Sequence, residues 1–141
     1  MNKNVVLNKM ETIEKCLRRI NEKYVRNELK KNIDMQDIIV LNLQRACEAS
    51  IDLAMHIIRD QRYALPQNTK DVFSILCEHK VIDEVLSKQL QSMVGFRNIA
   101  VHDYAHLNLA ILESVVESHL VDFEMYMTKI KKFLNNKKAP S

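Results

Sequence analysis

The chain has 141 residues, 47% of them hydrophobic, and a formal net charge of +3, which suits one domain able to bury a core of its own. It contains 1 Gly and 2 Pro where average usage gives roughly ten and seven; without those residues short strands lack their tight turns, so all-β and mixed folds are excluded and an all-α fold is expected. The mild positive charge permits attraction to nucleic acid without demanding it.

The first expected helix carries Val6, Met10, Ile13, Leu17, Ile20 and Tyr24, spaced alternately by four and three residues, which sets them on one stripe. For the second, Asp34 reads as the N-cap with Asp37 in the first turn, and the stripe is Ile39, Leu43, Ala46, Ser50, Leu53 and Ile57. Its small residues Ala46, Ala49, Ser50 and Ala54 suggest close helix–helix approach. Pro66 ends this region. Asn68-Thr69 can cap a short helix bearing Val72, Phe73, Leu76 and Cys77, and Asp83 the next, with Val85, Leu86, Leu90, Met93 and Val94. Gly95, the only glycine, follows directly. The last long helix holds Leu109, Leu112, Val116, Leu120, Phe123, Met127, Ile130 and Leu134. Lysines 129, 131, 132, 137 and 138 suit a solvated helix C-terminus. These stripes predict an antiparallel bundle of four to five helices over residues 1–135, with residues 136–141 as a flexible tail. Apolar surface left over by a small bundle makes a homodimer a reasonable expectation.

The 3 cysteines, Cys16, Cys47 and Cys77, form no CxxC pair and read as thiols of a reducing compartment rather than a disulfide framework or zinc site. Met1-Asn2-Lys3-Asn4 and the three apolar residues Val5, Val6 and Leu7 do not make a signal peptide, and no run approaches the ~18 apolar residues of a membrane span. A cytoplasmic protein without membrane contact is expected.

One cluster resists a purely structural account. Residues 97–104, Arg97-Asn98-Ile99-Ala100-Val101-His102-Asp103-Tyr104, gather five polar or titratable side chains. On an unbroken helix Asn98 and His102 share a face. Arg97 and His102 lie about 140° apart, since each residue turns the helix by about 100°. They converge on one small group only if the helix breaks or a second copy contributes, which favours a site between subunits. The chemistry suits a phosphodiester: arginine offers a charged fork for phosphate, and histidine exchanges a proton near neutral pH. Such a pair could cut RNA without metal. An Arg and a His at this spacing also arise by chance, and Tyr104 also reads as a tyrosine on the rim of the bundle. His56, His79, His106 and His119 read as ordinary surface or core residues. Asp122 with Glu124, like Asp83 with Glu84, reads as a solvated face or cap.

The pattern R-x4-H-x-Y at Arg97, His102 and Tyr104 resembles that of the HEPN superfamily, specifically its HepT (DUF86) branch. Ala64-Leu65-Pro66, Phe73-Ser74-Ile75-Leu76 and Met93-Val94-Gly95-Phe96-Arg97-Asn98 read like the same branch, and the likeness covers nearly the whole chain. The resemblance implies a homodimer whose motifs meet at a cleft between subunits. It also implies a toxin of a type VII toxin–antitoxin pair, a metal-independent endoribonuclease with no cofactor. Arg97 would clamp phosphate, His102 would act as general acid/base, and Asn98 would support them. The implied partner is an MNT-type nucleotidyltransferase antitoxin that transfers AMP onto Tyr104. The added phosphate and base would occupy the place of the RNA phosphate and engage Arg97 with the wrong anion. Unmodified, Tyr104 could stack on an RNA base or hydrogen-bond a phosphate. The residues also admit a different class of function, a non-catalytic HEPN module that docks a nucleotidyltransferase or holds a nucleotide.

Overall fold

The computed structural model describes residues 2–138, and within them all regular structure is helical. Helix α1, Lys3–Lys23, starts at Asn2, whose side chain accepts from the Asn4 and Val5 N–H groups. It buries Val6, Met10, Ile13, Leu17 and Ile20 as its spacing predicts, and Cys16 with them. A connector with a 3₁₀ turn, Leu29–Lys31, leads to α2, Ile33–Asp60. The cap of α2 is Asn32 and not Asp34: backbone extended at Asn32 lets its carboxamide accept from the Met35 N–H at 3.0 Å. The helix therefore begins one residue before Asp34, which falls inside the first turn, and Asp37 comes after that turn.

All six residues expected on the α2 stripe are buried. Its small side chains give neighbouring helices room to approach, and the buried Tyr126 hydroxyl donates to the Ser50 carbonyl at 2.8 Å. An ion pair of 3.1 Å between Lys9, early in α1, and Asp52, late in α2, fixes the two as antiparallel.

Helix α3, Asp71–Glu78, has Asn68 accepting from the Asp71 N–H at 2.9 Å. Helix α4, Glu84–His102, begins at the expected cap, Asp83, which accepts from the Leu86 N–H at 2.8 Å. Leu86, Leu90, Met93 and Val94 are buried, but Val85 faces outward, 66% exposed. Among the described residues, three loop positions adopt left-handed backbone, filled by Asn27, Arg62 and Lys80.

The expected last helix is divided. Helix α5, Leu109–Ser114, passes through a π-helical turn, Val115–His119, into α6, Leu120–Lys138. Leu112, Val116, Leu120, Phe123, Met127 and Ile130 are nonetheless buried, because all three pieces continue one rod. Helix α6 reaches Lys138, so residues 136–138, expected in the tail, are helical, while residues 139–141 lie outside the described residues. The edge of the Phe73 ring meets the Tyr126 ring at a centroid distance of 5.7 Å and an angle of 84°, a favourable aromatic geometry.

Cross-helix bonds define one end of the bundle. Tyr24, the C-cap of α1, donates to Glu117 of the π turn at 2.7 Å. At the same end, Asp37 near the start of α2 meets Tyr104 just beyond α4. The polar cluster singled out in the sequence therefore sits where three chain segments gather. Among the described residues, no helix is long and apolar enough to cross a membrane.

Candidate functional site

Helix α4 carries Arg97, Asn98 and His102 without a break, and His102 is its last residue. The helix stops because Asp103 leaves helical geometry, at φ −148° and ψ 50°, while its N–H still donates to the Ile99 carbonyl at 2.8 Å. A 3₁₀ turn, Tyr104–His106, follows, and Asn108 caps α5 by accepting from the Ala110 and Ile111 N–H groups. Arg97 and His102, five residues apart on this helix, thus leave α4 about 140° apart around its axis.

Arg97 is half-buried, and its Nε is enclosed with no hydrogen-bond partner. The charged end lies near Cys47 of α2: burial pushes the Cys47 thiol up to about 12, and the nearby Arg97 charge pulls it the other way. An arginine whose stem is held by packing presents its fork with less entropy to lose on binding an anion. Asn98 is half-buried, and His102 is exposed at the helix end.

Tyr104 is 40% exposed, and its hydroxyl donates to Asp37 Oδ1. Partial burial, and next the hydrogen bond and charge of Asp37, push this phenol up to about 12. The sequence assigned Asp37 no role beyond helix initiation. It lies 67 residues from Tyr104, and nothing local in the chain announces the contact.

One acidic residue behaves differently from expectation. Asp122 is buried, at 2% exposure, and pairs with His119 Nδ1 at 3.1 Å; it is no part of a solvated face, because the rod turns it inward below the π turn. Together they line a cleft of about 390 Å³ that Phe96 and Ile111 share. Asp103 Oδ1 meets His106 Nδ1 at 2.6 Å, and His79 stacks on Tyr63 with ring centroids 3.6 Å apart. Cys16 and Cys47 are buried free thiols and Cys77 is a half-buried one.

Comparison with known proteins identifies the family. A family model described as ribonuclease HepT-like matches residues 10–130. The chain is 46% identical over 128 residues to the mRNA nuclease HepT of Shewanella oneidensis, covering 90% of this chain and 96% of that protein. Its fold matches the tri-AMPylated Shewanella oneidensis HEPN toxin solved in complex with an MNT antitoxin, with a TM-score of 0.89, 46% identity and coverage of 94% and 99% of the two chains. A toxin–antitoxin crystal structure with AMP-PNP gives a TM-score of 0.89 at 45% identity, over 92% of this chain and 98% of that one. An all-helical bundle carrying R-x4-H-x-Y intact at the end of one helix, so similar over nearly its full length, belongs to the HepT-like ribonuclease family.

Proposed function

We propose that this chain is an RNA-cutting toxin of the HEPN/MNT kind, acting in the cytoplasm as a homodimer without a metal ion. The observation that carries this reading is Arg97 and His102 on one unbroken helix end, facing about 140° apart. Two copies meeting along this end set the arginine of one beside the histidine of the other. His102 takes the proton from a ribose 2′-hydroxyl or returns one to the leaving oxygen. Arg97, held by its buried stem, stabilises charge growing on the phosphate, and Asn98 supports them from the same face as His102.

The implied partner is a nucleotidyltransferase antitoxin of the MNT type, like the one bound to the Shewanella toxin. It silences the chain by transferring AMP to Tyr104, a partly exposed residue two positions beyond His102. The adenylyl phosphate then competes with RNA for Arg97.

RNA cleavage in EDTA by partner-free protein tests the reading, with intact mass verifying that Tyr104 is unmodified. Wild type is expected to cut, and His102→Ala, folded by circular dichroism, to cut at least about 100-fold more slowly. If unmodified wild type leaves RNA intact, the chain is a docking module for the nucleotidyltransferase. If both proteins cut equally, His102 is not the acid/base.

A further inference from the structure

Tyr104 is tied across the bundle to a carboxylate that the proposed cleavage mechanism gives no role. Its hydroxyl donates to Asp37 Oδ1, from a different helix and 67 residues away, so tertiary packing holds the pair together. Tyr104 as a whole residue is 40% exposed, and its hydroxyl proton faces Asp37. The acid next to Tyr104 in the chain is otherwise engaged: Asp103 is bonded to His106 at 2.6 Å. Partial burial, and next the hydrogen bond and charge of Asp37, hold the Tyr104 phenol protonated. A phenol so held supplies little phenolate near neutral pH, so a reaction at its oxygen must hand the proton to a base as the new bond forms.

Resting on the reading of Tyr104 as the AMP acceptor, we propose that Asp37 is the proton acceptor for that transfer. The phenolic oxygen attacks the α-phosphorus of a nucleoside triphosphate and forms the O–P bond. The O–H bond breaks and its proton passes to Asp37 Oδ1. The bond from the α-phosphorus to the pyrophosphate oxygen breaks, and pyrophosphate leaves with the electron pair.

The test incubates the full chain with an MNT-type nucleotidyltransferase, ATP and magnesium, and follows AMP addition by intact mass from pH 6 to 9. Wild type, Asp37→Asn, Asp37→Glu and Tyr104→Phe are compared. Circular dichroism checks folding, and size-exclusion chromatography checks pairing with the transferase. Asp37→Asn is expected to slow addition about 100-fold at pH 7. Its rate is expected to climb with pH more steeply than that of wild type, as free phenolate replaces the missing base. Asp37→Glu recovers part of the rate, which a merely structural role would not predict. Addition to Asp37→Asn at the wild-type rate and pH slope overturns the proposal. Should Asp37→Asn not fold or pair, Asp37→Ser takes its place under the same criterion. If Tyr104→Phe accepts AMP as well as wild type does, or if wild type accepts none, the acceptor reading itself fails and the proposal with it.

Discussion

Tyr126 brings a hydroxyl into the centre of the bundle, where it donates to the Ser50 carbonyl at 2.8 Å. Tyr126→Phe keeps the ring and its contact with Phe73 and loses only that bond. It is expected to cost about 1 kcal/mol and to lower the melting temperature by about 3 °C in a thermal scan. Single residues divide sharply in how far the sequence revealed them. The proposed site residues Arg97, His102 and Tyr104 were noticeable because they stand close together in a spaced pattern that chemistry can interpret. Asp37 was not, since its contact with Tyr104 spans 67 residues and exists only once α2 and α4 are docked. The burial of Asp122 was equally hidden. A charged residue on a helix reads as solvent-facing, and only the packing below the π turn turns it inward.

Helix starts are governed by which side chain reaches the first free N–H groups, and here two polar residues compete at the head of α2. Asn32 holds the Met35 N–H at 3.0 Å, so Asn32→Ala is expected to cost about 1 kcal/mol. Asp34→Ala loses only a favourable charge near the helix start, below about 0.5 kcal/mol. Urea titration of the two variants separates them, and equal losses would return the cap to Asp34. In α4, a Cβ at Gly95 would lie 3.3 Å from Lys70 Nζ, the movable end of a long side chain. Gly95→Ala is therefore expected to raise stability by up to about 1 kcal/mol, because alanine favours a helix interior and the lysine can step aside; the same urea titration measures it. The apolar stripes of the other helices translated into buried faces because spacing by three and four residues is a direct record of helical geometry. The same spacing concealed the π turn: its shifted hydrogen bonds leave the apolar residues on one side of the rod, so Leu112 through Ile130 read as one uniform helix.

For the whole molecule, the reading of a paired site makes a test that no single variant can. Arg97→Ala and His102→Ala are each expected to abolish RNA cutting when pure. If arginine and histidine come from different copies, an equal mixture allowed to exchange subunits forms mixed pairs with one intact site. Cutting should then return to about a quarter of the wild-type rate, from half the pairs with one of two sites working. A mixture that remains inactive, with exchange confirmed by native mass spectrometry, places both residues in one copy's site. The helical fold itself follows from the near absence of glycine and proline, whereas the proposed pairing rests on the unbroken geometry of α4 and on the family resemblance. That continuity has a further consequence, for dosage. If a lone copy cannot bring Arg97 to His102, then below the concentration at which copies pair, doubling the chain raises the number of pairs about fourfold. A cell would be buffered against a slow leak of expression and exposed to a sudden burst.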